Sequence, residues 1–246
     1  RCLKEPHLFM LQLKAILRTA AYGPASMMIP MFTCVSELDQ VLVLIERAKD
    51  ELRAERKRFN PNLQLGAMIE VPAAALSAMS FARKLDFLSI GTNDLIQYTL
   101  AMDRIDDEVS HLFKPLHPSV LKLIDMTLQA GEKSGIDVSL CGEMASDPLY
   151  TRLLLGMGLH SFSVQAGSLL EVKHIINHSH LGQLTPIVRS ILDLSTAYEI
   201  EVAVDGCGAP VFGLSVEAMA RSYARLAGAR HAGIEPEFTR AADAVA

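Results

Sequence analysis

Apolar positions along this chain follow two alternating rhythms. Stretches with the 3.6-residue spacing of an amphipathic helix are separated by short, almost wholly apolar runs. The opening residues, RCLKEPHLFMLQLKAILRTA, have the helical spacing, and Gly23 and Pro24 end them. SMMIPMF then reads as a short strand. SELDQVLVLIERAKDELRAERKRF reads as a long helix opened by a Ser36-to-Asp39 capping pattern. LQLGAMIEV is a second strand, and PAAALSAMSFARKL a helix with Pro72 in its first turn.

DFLSIG, IDVSLCGE and SFSV supply three further strands, each followed by helical spacing. The pattern is a βα repeat five times over, preceded by a lone helix. Strands with so little alternation fit a parallel sheet covered by helices. The predicted fold class is therefore α/β: a partial (β/α)8 barrel of the TIM type, with about five βα units of the eight that a complete barrel has. Beyond roughly Gln183 the composition turns rich in Ala and Arg, with a Gly-rich turn between a strand and a helix. This divides the chain into a barrel domain, 1–194, incomplete at its N-terminus, and an appended segment, 195–246, of unassigned role.

Composition narrows the function classes. The chain has 246 residues, 50% of them hydrophobic and 21% charged, with a formal net charge of −5. Such a balance fits a soluble globular protein and argues against a nucleic-acid surface. No apolar run reaches the ~20 residues of a membrane span and no leader is visible, which points to the cytoplasm and away from a membrane. Cys2, Cys34, Cys141 and Cys207 lie far apart, without CxxC or zinc spacing. His174, His178 and His180 fall at a helix end and read as a surface cluster.

Polar residues recur where the strands end: Glu70 after GAMI, Asn93 and Asp94 after FLSIGT, Cys141 and Glu143 around IDVSLCGE. In parallel α/β folds that edge binds ligands. For one strand a helix cap would explain the polarity, since Asp94 suits a helix N-terminus. Three successive strands favour one converging site. Glu70 and Asp94, brought together, repel unless one is protonated or a cation lies between them. Oxygen ligands alone suggest Mg²⁺ or Mn²⁺. Arg104 is either a fork for phosphate or carboxylate oxygens or a solvated surface arginine. Cys141 is either a proton donor or a small buried apolar residue.

At these residues a family resemblance emerges. GAMIEVPAA, DFLSIGTNDLIQYTLAMDR, HPSVLKLI, CGEMASDP and LLLGMGLHSFSV, in that order, closely resemble the C-terminal domain of enzyme I of the bacterial phosphoenolpyruvate:sugar phosphotransferase system. Pyruvate phosphate dikinase and phosphoenolpyruvate synthase share the domain, but LLLGMGL and QYTLAMDR lean towards enzyme I. The resemblance spans about residues 1–194. It implies a barrel that binds phosphoenolpyruvate and Mg²⁺ at its C-terminal face. Glu70 and Asp94 would be metal ligands, Asn93 with the Asp94 backbone and Arg104 would hold phosphate, and Cys141 would protonate the methylene carbon as pyruvate forms. It further implies transfer to a histidine of an upstream domain, the phosphocarrier protein HPr as partner through that domain, a homodimer, and a role in sugar transport. A non-catalytic binding or dimerisation module, or part of a dikinase or synthase, are the alternatives.

Two departures accompany the resemblance. The family's three further binding arginines fall in segments that precede Arg1, and none of the eight histidines sits in the motif of the phosphorylated one. At ~1.5–3 kcal/mol per charge-assisted contact, phosphoenolpyruvate binding is expected to be roughly a hundredfold weaker than in a complete barrel. The tail, residues 199–246, weakly resembles the C-terminal stretch of asparaginase-like amidohydrolases. No activity is assigned to it, and Cys207 is expected to be structural.

Overall fold

The computed structural model describes residues 3–105, 112–194, 200–204 and 210–214. Helix α1 (Pro6–Thr19) has Pro6 at its start, where a fixed φ and a missing N–H do no harm. Its buried face, Phe9, Met10, Leu13 and Leu17, packs on α2 (Val35–Ala54), which buries Leu38, Val41, Ile45, Ala48 and Leu52 at the same period.

Strands β1 (Ser26–Ile29), β2 (Gln64–Ile69), β3 (Phe87–Gly91), β4 (Asp137–Cys141) and β5 (Ser161–Phe162) form one parallel sheet in chain order. Between and after them run α3 (Pro72–Leu76), α4 (Ala78–Ala82), α5 (Thr92–Leu100), α6 (Pro118–Ser134), α7 (Glu143–Ser146), α8 (Pro148–Met157), α9 (Leu169–Asn177) and α10 (Leu181–Leu194). A doubly wound sheet reverses its strand order at a switch point, whereas this order never reverses. With the right-handed crossovers that parallel strands adopt, an unreversed order puts every helix on one face, as in a barrel wall. The expected α/β partial barrel of five units is what forms.

Register assigns the two faces. Ile69, Ile90 and Leu140 share one row and, with Ala67 and Leu88, are wholly buried on the helix-covered side. The alternate positions make the opposite face: Met28, Gly66 and Phe87 in one row, Met68, Ser89 and Ser139 in the next. The Phe87 ring lies across Gly66, where a Cβ would stand 2.3 Å from it, so no larger residue fits beside that ring.

Several local expectations are corrected. The cap of α2 is not Ser36 with Asp39 but Cys34 with Glu37, whose Oε2 accepts the N–H groups of Cys34 (3.3 Å) and Thr33 (2.7 Å). Ser36 lies inside the helix, and its hydroxyl pairs with Cys34 Sγ at 3.1 Å. The helix expected over PAAALSAMSFARKL breaks at Ser77 (φ −103°, ψ 11°), so that α3 and α4 each pack on α6. Helix α10 was not distinguished in the sequence, because Pro186 interrupts its pattern. It packs on α8, with Val188 against Gly156, and Arg189 bonds Asp125 and the Met157 carbonyl.

Beyond α10, β6 (Ile200–Val204) pairs antiparallel with β7 (Pro210–Leu214), a second strand that the sequence reading does not separate from the Gly-rich turn. The aromatic and β-branched residues of PVFGL favour that second strand. Arg1, Cys2, Cys207 and the helical reading of the last residues lie outside the described residues. Among the described residues no helix is long and apolar enough to cross a membrane. His174 and His178 stack at 4.1 Å on the exposed end of α9, and with His180 they form no metal-holding group.

Candidate active site

The C-terminal edge of the sheet gathers the polar residues singled out in the sequence. Ile69 pairs with Ile90 and Gly91 pairs with Cys141. Glu70, one residue past β2, therefore stands beside Gly91, which stands beside Cys141. These three make the top row of the face opposite the helices.

Glu70 is 4% exposed, yet carries a carboxyl. Its Oε1 accepts the Met31 N–H at 2.7 Å. Met31 follows β1 in the left-handed region (φ 61°), a conformation costing a non-glycine residue ~1 kcal/mol or more. Burial pushes the Glu70 pKa up, the Met31 N–H opposes this, and Asp94, within hydrogen-bonding reach, pushes it up further. Two carboxyl groups side by side suit a small divalent cation, since among the described residues no cationic side chain acts on Glu70. Two oxygen donors would leave most of such an ion's shell to water and substrate. Among the described residues no group of three or more His, Cys, Asp or Glu forms a self-sufficient cage.

Because the folded chain holds a proton on Glu70 more tightly than the unfolded chain does, this group favours the fold at acid pH, and that contribution is lost as pH rises through the folded pKa. At pH 7 without metal, Glu70→Gln is expected to raise the thermal midpoint by about 2–4 °C, the shift that relief of about 1 kcal/mol gives a chain of this size. Below about pH 4 the advantage disappears, since both states then carry the proton. Thermal unfolding at the two pH values checks this.

The turn after β3 and the turn after β4 are clasped together. Thr92, fully buried, donates its hydroxyl to the Cys141 carbonyl at 2.7 Å. The Glu143 N–H donates to Asn93 Oδ1 at 2.9 Å, which fixes the amide and turns Nδ2 to serve another acceptor. Gly142 between them has φ +100°, and a Cβ there would stand 2.4 Å from Thr92 Oγ1 and 2.8 Å from Asn93 Oδ1. Gly142→Ala is thus expected to open both links and to cost about 1–3 kcal/mol in denaturant unfolding.

Helix α5 starts at Thr92 with Gly91 as its N-cap, so its first N–H groups face this edge as an anion-attracting end. Asp94 lies in that first turn, half-buried, and its charge opposes an anion unless a cation intervenes. Cys141 is half-buried. Burial pushes its thiol pKa up, the Ser89 hydroxyl opposes this, and Glu70 and Asp94 add to the rise. At neutral pH the thiol keeps its proton, which suits an acid and not a nucleophile. Arg104 Nη1 lies 3.5 Å from Glu143 Oε1, on the rim of the same edge.

All the residues expected at the site thus share one sheet edge: Glu70, Asn93, Asp94, Arg104 and Cys141. Sequence reasoning missed the Met31 N–H and Ser89 as parts of it, and gave Gly91, Thr92 and Gly142 no role of their own. The glycines and Thr92 stand inside the quoted motifs, whereas nothing in the sequence marks the Met31 backbone.

The profile of the PEP-utilising enzyme, PEP-binding domain, matches residues 1–181, and that of L-asparaginase II matches residues 162–246. A phosphoenolpyruvate-protein phosphotransferase from Cupriavidus necator is 52% identical over 190 residues, 77% of this chain and 32% of that protein. Proteins of the same name from Haemophilus influenzae and Listeria monocytogenes are 43% and 41% identical over 79% and 83% of this chain, and 34% and 36% of their own lengths. The chain therefore spans about a third of the length of these curated relatives. A solved citrate lyase from Burkholderia xenovorans LB400 superposes at TM-score 0.48 with 16% identity, over 93% of this chain and 71% of that one.

Proposed function

This chain belongs to the PEP-utilising enzymes through their PEP-binding domain, and from that premise we propose that it is the phosphoenolpyruvate-handling part of an enzyme I-type phosphotransferase. The observation that carries the reading is the row at the sheet edge: a buried carboxyl against Asp94, and a thiol that keeps its proton, on either side of a glycine. In this reading Glu70 and Asp94 hold Mg²⁺. Asn93 Nδ2, the Asp94 N–H and Arg104 hold the phosphate. The metal, when bound, would offset the charge of the phosphate and of the developing enolate.

A histidine nitrogen supplied from outside the barrel attacks phosphorus as the bond to the enol oxygen breaks. The electron pair goes to that oxygen, leaving enolpyruvate as its enolate. As the enolate collapses to the ketone, its methylene carbon takes the Cys141 proton, and the thiolate then regains a proton from water. Burial serves this step, because a thiol that resists ionisation is present in its acid form at neutral pH. Phosphoryl passes onward to HPr, in a cytoplasmic homodimer that serves sugar transport.

Residues 1–194 make this unit, with 195–246 appended. Supporting that boundary, α10 packs on α8 and α6, although the L-asparaginase II match begins well before it, at residue 162. Calorimetric titration of phosphoenolpyruvate with and without Mg²⁺ tests the function. Binding that requires Mg²⁺ is expected; no binding under either condition, at millimolar ligand, overturns the proposal.

A further inference from the structure

We infer that Gly91 is a specificity-determining residue: its missing side chain leaves the notch, between Glu70 and Cys141, that takes the third carbon of a three-carbon enol phosphate. This rests on the phosphoenolpyruvate reading and deepens it. Adjacent strands lie about 4.8 Å apart, so Glu70 and Cys141, one strand removed from each other, have roughly 10 Å between their backbones. Only the residue at 91 intervenes in that row.

A side chain at position 91 would point into the gap. Its Cβ would approach Glu70 Cβ and Met68 Sδ to 3.1 Å and Glu70 Oε2 to 3.2 Å. The backbone there, at φ −89° and ψ 88°, does not call for glycine. Space therefore decides the residue. Met68 and Ser89, in the row beneath, close the floor, Ser89 being 4% exposed.

Chemistry assigns the occupant. A proton delivered by Cys141 must arrive at the substrate's third carbon, while its phosphate and carboxylate face the cation beside Glu70 and Asp94. The third carbon then lies on the Cys141 side of Glu70, over residue 91. A two-carbon analogue, 2-phosphoglycolate, keeps the phosphate and carboxylate but has no atom for the notch.

Ligand-observed NMR titration of the full chain with Mg²⁺ tests this on wild type and Gly91→Ala. The variant is expected to bind phosphoenolpyruvate roughly tenfold or more weakly, and 2-phosphoglycolate within about twofold of wild type. Equal weakening of both ligands would mean that the methyl group acts by displacing Glu70, and no weakening of either would mean that the notch is unused. Each of those results overturns the inference. Adding Met68→Ala gives the new methyl group room. Selective loss that persists in this double variant supports the notch, and its relief overturns it. A wild-type chain that binds neither ligand overturns the phosphoenolpyruvate reading itself.

Discussion

Replacing Cys141 by alanine is expected to slow the exchange of pyruvate methyl hydrogens with deuterated water by roughly 10²–10⁴-fold, the usual range for removal of a positioned acid or base. The exchange is the protonation step run in both directions, and it needs neither a histidine nor a partner protein. The site provides one group at the right place, a thiol in register with Gly91 and beside the Ser89 hydroxyl. Removing a proton from the methyl group requires the thiolate, whose population burial and the two carboxyls hold down. Wild-type exchange should therefore climb with pH through a thiol pKa above the ordinary range, and the residual rate of Cys141→Ala should not follow that curve. Proton NMR of pyruvate with Mg²⁺ reads both. A wild-type rate that matches the variant at every pH would remove Cys141 from the chemistry.

Asp94→Ala is expected to weaken Mg²⁺-dependent phosphoenolpyruvate binding by roughly ten- to a hundredfold, from loss of a charged contact worth ~1.5–3 kcal/mol. Two roles meet in this residue. As an acidic group in the first turn of α5 it favours the helix by about 0.3–1 kcal/mol, and as Glu70's neighbour it would, in the proposed reading, supply the second oxygen ligand. Asp94→Asn removes the charge but keeps a polar group of the same size in the turn, so it controls for lost packing, while thermal unfolding reads the helix contribution apart from binding. If the cation is the point, both variants lose the Mg²⁺ dependence of binding in calorimetry. Binding that stays Mg²⁺-dependent in Asp94→Asn would remove the residue from the metal site.

Much of this protein is legible in its order of residues. Apolar runs and helical spacing located five strands and the helices between them, because a parallel sheet buried on a helix layer requires continuous apolar residues such as Ile69, Ile90 and Leu140. Polar residues at three successive strand ends marked the candidate site, because parallel strands place their C-terminal ends on one edge.

The rest depends on neighbours remote in the chain. The left-handed Met31 aims an N–H at a carboxylate from another strand. Thr92 ties its turn to a carbonyl 49 residues away. Helix α10 forms despite Pro186 because it packs on α8, and the break at Ser77 lets both α3 and α4 reach α6. Gly91 is legible as a letter in FLSIGT, but its use is not. A glycine reveals what its absent side chain makes room for only when the flanking strands bring Glu70 to one side of it and Cys141 to the other.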